Sequence, residues 1–303
     1  MKNKIKKSTA LFQKNSTVMN LNLSQAALRS HFELFYKEDD LLTNFHYTVT
    51  LPQDYVTCLL KIKSPQIISG MPFFIEAFRF LKEDCFTDDD LEILQSLEGK
   101  YFEKKEISFK LPFNVALTGE RIALNLLQKS SSITTTTQKF VRAVEDADKN
   151  IAILDTRKTT PGLRFLEKYA VKMGGGHNHR FGQTQMWMVK DNHKNFFGGI
   201  ESAVDFFKSQ HSFYNSIEVE VHSLEEFEES MELGIKYIML DNFSPELIKK
   251  VVSQKPEGCL IEVSGGVNLD NIKKYLIDGV DAISIGSLTY AATAVDISLK
   301  IEK

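Results

Sequence analysis

From Ile151 onward the sequence alternates short apolar runs with amphipathic stretches, and this alternation constrains the fold more than any other feature. The apolar runs Ile151–Leu154, Met186–Val189, Ile217–Val221, Tyr237–Leu240, Leu260–Val263 and Ala282–Ile285 read as buried strands. Between them Pro161–Met173, Ile200–Ser209, Ser223–Leu233, Pro245–Val252 and Leu269–Ile277 read as helices. Strands separated by helices form parallel βαβ units. Six such units without a glycine-rich dinucleotide fingerprint favour a closed α/β barrel over an open sheet. Glu220, Asp241, Ser264 and Gly286 end four successive strand candidates at spacings of 21, 23 and 22 residues.

Such barrels build their sites at the C-terminal ends of the strands. There this chain collects Arg157, Lys158, Lys190, Glu220, Asp241, Ser264-Gly265-Gly266 and Gly286. Arg157 and Lys158 follow the first strand and precede Pro161, which can open a helix at its first position. Two adjacent cations there meet a phosphate or a carboxylate, Arg as a planar fork and Lys as a point charge; on a solvated loop they would only aid solubility. The triple glycine 174–176 leads into His177-Asn178-His179-Arg180, a loop expected to adapt to a ligand, with His179 and Arg180 as two more anion donors. Between Asp155 and Lys194 stand eight Lys/Arg against three Asp/Glu, whereas between Phe213 and Lys250 stand nine Asp/Glu against three Lys. Most of the latter are a solvated helix face. Glu220 and Asp241 instead end apolar strands, where carboxylates hold a hard cation, bond ribose hydroxyls or simply cap helices. Ser264-Gly265-Gly266 and Gly286-Ser287 are late strand-to-helix turns of the kind that cradles phosphate with backbone N–H groups.

The first hundred residues read as a small α+β region: a helix near Leu23–Phe35 with Ser24 as its cap, strands at Tyr55–Lys63, Gln66–Ser69 and Tyr101–Lys110, and an apolar stretch Phe73–Leu81 after Gly70-Met71-Pro72. Residues 1 to about 20 look frayed. A helix over Thr118–Lys129 is expected to end at Ser130-Ser131-Ser132, with a second near Gln138–Ala147; on pattern alone Arg121 is a solvated residue of the first. Lys and Arg number 37 against 40 Asp and Glu, so no basic field points to nucleic acid. Cys58, Cys85 and Cys259 are scattered and odd in number, which suits core thiols in a reducing, cytoplasmic setting better than disulfides or zinc. No stretch has the apolar length of a membrane span or a secretory signal. There is no HExxH, CxxC or Walker loop.

The runs TRKTTPGLRFLEKYAVKMGGGHNHRFG (156–182), VKDNH (189–193), EVEVHSLEE (218–226), IMLDN (238–242) and EVSGGVNLDNI (262–272) resemble those of the quinolinate phosphoribosyltransferase family, as do TGERIALNLLQ (118–128) and DAISIGSLTYAATAVDISLK (281–300). The resemblance is close over residues 110–300 and loose before. It implies an N-terminal α/β sandwich domain over residues 1–124, rejoined by the C-terminal segment 291–303 through a returning last helix, and a seven-stranded α/β barrel over residues 125–290. It implies a reaction: quinolinate and phosphoribosyl pyrophosphate (PRPP), with Mg²⁺, give nicotinate mononucleotide, pyrophosphate and CO₂ in NAD biosynthesis, without an organic cofactor. It also implies a homodimer whose subunits share their active sites.

By the same resemblance Arg157, His179 and Arg180 hold the quinolinate carboxylates, and Arg121 reaches in from the neighbouring subunit. Lys158 and Lys190 serve the substrate carboxylate and the pyrophosphate. Glu220 and Asp241 lie near the ribose and Mg²⁺, and with the two lysines form the expected catalytic set. Ser264, Gly265, Gly266 and Gly286 cradle the 5′-phosphate. Two departures stand out. Gly182-Gln183-Thr184-Gln185 replaces the usual Leu and Asp after Arg180, and Tyr290 stands where many members carry a phosphate-binding His. A phosphoribosyltransferase for another acidic base is the nearest rival. A barrel aldolase with Lys158 or Lys190 as Schiff base is the rival from another class, and the adjacent anion-binding cluster argues against it.

Overall fold

The computed structural model describes residues 25–41, 44–210 and 216–302, so the frayed start and the Ser24 cap lie outside the described residues. The chain divides into two compact units. One runs to Thr134 and takes in the chain from Thr293 on; the other is Thr135–Ala292.

In the first unit α1 (Gln25–Glu38) and α2 (Phe45–Thr50) precede β1 (Tyr55–Ile62), β2 (Gln66–Ile67), α3 (Met71–Leu81), α4 (Asp88–Gln95), β3 (Tyr101–Phe102) and β4 (Lys105–Pro112). Alternation sets the face of β1: Val56, Cys58, Leu60 and Ile62 turn inward. α3 covers that sheet with Phe73, Phe74 and Phe78, and Phe74 meets Phe109 of β4 edge to face at 6.1 Å. The start of α3 shows why Gly70-Met71-Pro72 breaks the chain there. Gly70 is left-handed at φ 99°, Pro72 sits in the first turn, and the Glu98 carboxylate accepts the N–H groups of Gly70 and Met71 at 3.0 and 2.7 Å. The three cysteines are free and buried.

Two expectations fail in this unit. Ser130-Ser131-Ser132 does not end a helix: α5 runs unbroken from Phe113 to Asp146. Serine disfavours helix interiors because its hydroxyl competes for nearby backbone groups, but these hydroxyls have tertiary partners. Ser131 Oγ accepts the Ser69 N–H at 3.0 Å and donates to the Ser69 carbonyl at 3.2 Å, while Ser130 and Ser69 share a bond of 2.9 Å. The small side chains also admit the neighbouring loop, since a Cβ on Gly70 would come within 2.8 Å of Ser130. Nor is the returning C-terminal segment a helix. It is β11 (Ile297–Glu302), which pairs antiparallel with β1 opposite β4 and completes a three-stranded sheet. The Gln128 amide of α5 guides it in, donating to the carbonyls of Val295 and Ile297.

The second unit alternates as the sequence does: β5 (Ala152–Leu154), α6 (Arg164–Met173), β6 (Trp187–Val189), α7 (Asp191–Phe197), α8 (Ile200–Gln210), β7 (Ile217–Val221), α9 (Leu224–Glu232), β8 (Tyr237–Asp241), α10 (Pro245–Gln254), β9 (Leu260–Ser264), β10 (Ala282–Ser284) and α11 (Ser287–Tyr290). The strands are parallel and ordered β5-β10-β9-β8-β7-β6, so the first strand pairs with the last, as in a sheet curled on itself. On the other edge of β5, His177 makes a parallel bridge to Leu154 and occupies the seventh strand position. Pro161 does not open α6; Gly162 turns left-handed at φ 81° and delays the helix to Arg164. Leu269–Ile277 is not an α-helix but a loop with a 3₁₀ turn, Ile272–Tyr275. The Asn268 side chain there accepts the N–H groups of Asp270 and Asn271 and fixes an Asx-type turn in place of a helix start. No helix of the described residues is long and apolar enough to cross a membrane.

Ser131→Ala should destabilise the chain by about 1–3 kcal/mol, because it leaves the buried Ser69 N–H without an acceptor. Urea unfolding should show a lower midpoint with an unchanged slope.

Candidate active site

The end of β5 is anchored by Asp155, which is fully buried. Its carboxylate accepts from Lys168 Nζ of α6 at 2.5 Å, from Asn178 Nδ2 at 2.5 Å and from the His179 N–H at 3.0 Å. One carboxylate thus fixes α6, the loop carrying Arg157 and Lys158, and the segment carrying His179 and Arg180. Burial lowers the proton affinity of the Lys168 ammonium, and Asp155 opposes that shift. The glycines before this segment have structural causes in place of the expected free adaptation to a ligand. Gly175 is left-handed at φ 86°, and a Cβ on Gly176 would come within 2.8 Å of both Thr137 of α5 and Val171 of α6.

Arg157 and Arg180 lie close enough to repel. Arg180 is buried, and its proton affinity is lowered by burial first and by the Arg157 charge second. Its guanidinium donates to the carbonyls of Gln183 and Met186 at 3.1 and 2.6 Å. The unusual Gly182–Gln185 run therefore folds back as a backbone clamp on Arg180. Arg157 Nε is buried without a hydrogen-bond partner. A buried guanidinium N–H without an acceptor, beside a second arginine, favours an anion.

His179 is nearly buried. Its Nε2 lies 2.7 Å from Glu218 Oε2 of β7 and 3.6 Å from Glu262 Oε2 of β9. Burial by itself would lower its pKa, but the Glu218 hydrogen bond and the two carboxylate charges outweigh burial and raise it. Lys158 is exposed, and its carbonyl accepts from Thr289 Oγ1 at 2.7 Å. Gly286 lies against it: a Cβ there would meet Lys158 Cδ at 3.0 Å and the Tyr290 ring at 3.1 Å. Tyr290 is 65% exposed, so its hydroxyl is free to reach a ligand.

On the facing strands Lys190, just after β6, forms an ion pair with Glu220 of β7. His222 sits between three carboxylates: its Nε2 is 2.8 Å from Asp191 and 3.9 Å from Glu220, and its Nδ1 is 3.6 Å from Asp241. One ligand atom from each of Asp191, Glu220 and His222 lies within 4.8 Å of the others, a set able to hold a divalent cation. Lys194 braces this edge through Glu226 at 2.9 Å, Asp191 at 3.0 Å and the Glu220 carbonyl at 3.1 Å. Burial lowers the Lys194 proton affinity, but the Glu226 and Asp191 contacts overcome that and raise it. The turn after β9 is built for close approach. Gly265 is left-handed at φ 97°, a Cβ on it would fall 2.2 Å from Asn242 Oδ1, and Asn242, itself at φ 58°, donates its N–H to the Ser264 carbonyl at 2.9 Å. Gly266 is left-handed at φ 64°.

The structure therefore gathers Lys190, Glu220 and Asp241 in one cluster, Arg157, His179 and Arg180 in another, and Lys158, Gly286 and Tyr290 in a third, all in the second unit. Arg121 belongs to the first unit, on α5, with its side chain 66% exposed and Glu120 as neighbour at 3.6 Å. Sequence reading passed over Asp155 as a hub, along with Lys168, Asn178, Asp191, Glu218, His222, Asn242 and Glu262. Glu218 and Glu262 were legible: each lies two residues before a chosen position, Glu220 and Ser264, and period-two strands put both on the same face.

Comparison with known proteins adds a family. Residues 133–300 match the quinolinate phosphoribosyl transferase C-terminal domain. A probable nicotinate-nucleotide pyrophosphorylase (carboxylating) of Bacillus subtilis is 38% identical over 241 residues, 79% of this chain and 81% of that one. The human nicotinate-nucleotide pyrophosphorylase (carboxylating) is 36% identical over 248 residues, 80% of this chain and 81% of the human protein. The crystal structure of NadC from Streptococcus pyogenes superposes with a TM-score of 0.80 at 30% identity, covering 94% of this chain and all of that one.

The ion pairs differ in burial, and mutation should separate them. Lys168→Met leaves Asp155 buried and uncompensated, and should cost about 3–5 kcal/mol in urea unfolding. Lys190→Met removes a pair open to solvent and should cost less than about 1 kcal/mol.

Proposed function

The chain belongs to the quinolinate phosphoribosyltransferase family, and from that premise we propose that it transfers the phosphoribosyl group of PRPP to quinolinate, releasing pyrophosphate and CO₂ and forming nicotinate mononucleotide for NAD biosynthesis. The observation that carries this reading is the buried, unpartnered Arg157 Nε beside the buried Arg180 and the nearly buried His179. Three donors on one side of the strand ends suit a rigid aromatic dicarboxylate, whose two anions meet planar guanidinium forks and an imidazole.

Lys158, Gly286 and Tyr290 form the phosphate-facing group, with Tyr290 offering a hydroxyl in place of the histidine of related chains. Ser264, Gly265 and Gly266 supply the backbone cradle of the 5′-phosphate. Glu220 and Asp241 face the ribose. With Asp191 and His222 nearby, their carboxylates fit a hard cation, so Mg²⁺ brought by PRPP would be held here and would neutralise pyrophosphate charge. The quinolinate ring nitrogen attacks the anomeric carbon as the bond to pyrophosphate breaks, and positive charge develops on the ribose. Glu220 and Asp241 stabilise that charge electrostatically, and Lys190 neutralises the departing pyrophosphate. The alkylated ring nitrogen is then cationic and draws in the electron pair left when the neighbouring carboxylate departs as CO₂; a proton takes its place on carbon. No organic cofactor enters, and most of the rate comes from positioning.

Arg121, exposed on α5, is the residue that reaches the site of a second subunit in a homodimer with shared active sites. The burial of the cysteines as free thiols fits a cytoplasmic setting.

Purified protein with quinolinate, PRPP and Mg²⁺ should release nicotinate mononucleotide and CO₂ only when all three are present. Binding of quinolinate without turnover would point to another acidic base. Arg157→Ala should lower kcat/KM at least about a hundredfold, or about 2.7 kcal/mol, with an unchanged melting temperature. Arg121→Ala should be equally inactive alone, and should regain part of its activity when its subunits exchange with those of Arg157→Ala. Absence of rescue despite demonstrated exchange rules out the shared site.

A further inference from the structure

Beneath His179 lie two carboxylates that the proposed reaction does not use. Glu218 comes from β7 and Glu262 from β9; their side chains are 3% and 9% exposed, and ligand atoms of all three groups lie within 4.8 Å of one another. Ionised carboxylates this deep require compensation, and among the described residues His179 is the one cation in ion-pair contact with them. Two carboxylates with one imidazolium leave a buried net charge of minus one. Adding a single proton makes the cluster neutral: one imidazolium, one carboxylate and one carboxylic acid.

The hydrogen bonds place that proton. Glu218 is the member in hydrogen-bond contact with His179 Nε2, at 2.7 Å. Glu262 stands further off at 3.6 Å, and its Oε1 is buried without a partner. Ser284 of β10 brings a buried hydroxyl up to Glu262. The Ser284 hydroxyl can donate to the Glu262 carboxylate and so opposes a proton there, but burial and the Glu218 charge outweigh it.

We propose that Glu218 and Glu262 are positioning residues: Glu262, the one further from the imidazole and with a buried unpartnered oxygen, carries a proton, and the contacts of the two side chains keep His179 as an imidazolium at neutral pH, so that it meets a substrate carboxylate as a cation. Charges on the surrounding elements are consistent with this. Asp155 accepts the His179 backbone N–H and is itself answered by Lys168, while Arg180 opposes the imidazolium. Glu218 and Glu262 outweigh both burial and that arginine. Burial, followed by the Glu218 charge, holds the Glu262 carboxyl well above the usual carboxylate range, and His179 draws it part of the way back. The sign follows: His179 stays cationic below its raised pKa and loses its charge only as pH climbs through it.

The use of His179 on a substrate carboxylate rests on the proposed function; its charge does not, and the two are tested separately. The full chain, labelled with ¹³C-histidine and free of substrate, is titrated by NMR, with His179 assigned from the spectrum of His179→Gln. His179 should remain cationic at pH 7.5. Glu218→Gln should move its titration midpoint down by at least about one pH unit, and Glu262→Gln, which imitates the neutral acid, by less. A neutral His179 at pH 7.5 in the native chain overturns the proposal, whatever becomes of the variants' folding. So does an unmoved midpoint in Glu218→Gln. In turnover, Glu218→Gln should raise the KM for quinolinate at least about tenfold at pH 7.5, recover toward pH 6 and leave kcat nearly unchanged. A shifted midpoint with an unchanged KM upholds the charge control and counts against His179 as a substrate ligand.

Discussion

Asp155 and Lys168 form the contact on which the second unit depends. A fully buried carboxylate at the tip of a strand is tolerable only if its lone pairs are filled, and here a lysine, an asparagine and a backbone N–H fill them. Each donor comes from a different piece of chain. The strand end, α6 and the seventh extended segment are thereby fixed to one point, and Arg157, His179 and Arg180, the side chains proposed to bind anions, leave from within two residues of it. A loop bearing this many cations would otherwise spread to relieve repulsion. The shared carboxylate holds the cations together before any substrate anion arrives, which is the preorganisation that electrostatic catalysis requires.

The acidic half of the site is arranged along strands. β7 offers Glu218 and Glu220 on one face, and β9 offers Glu262 and Ser264. Depth separates their tasks. The inner pair is sealed against His179. The outer carboxylates, Glu220 and Asp241, lie at the rim with Lys190 and His222, within reach of a sugar and a cation. One strand period thus supplies a buried layer beside His179 and a rim layer where the proposed reaction takes place.

Much of this was legible from the sequence because barrel chemistry collects at strand ends, and a strand end can be read. Arg157, Lys190, Glu220, Asp241, Ser264 and Gly286 each follow an apolar run, and the parallel sheet follows from the alternation that frames them. What could not be read depended on tertiary partners. The serines of α5 look like a helix stop until Ser69 is seen to take their hydroxyls. The returning segment looks helical until β1 offers it an edge. Lys168 on α6 looks like any helix lysine until the helix turns it onto Asp155. Gly176 looks like flexibility, and is instead the narrow gap between two helices.

Burial also separates the ion pairs that build the site from those that can work in it. Lys168 and Asp155 are sealed at 2% and 0% exposure, so parting them strands a charge in a medium that cannot solvate it. Lys190 and Glu220 stand at 40% and 13%, where water offsets most of what their attraction contributes. In the proposed reaction the second pair would exchange partners at small cost: Lys190 would turn to the departing pyrophosphate as Glu220 is released to face the positive ribose. On that proposal a partly solvated ion pair would deliver both of its charges when the transition state needs opposite signs on opposite sides of one breaking bond.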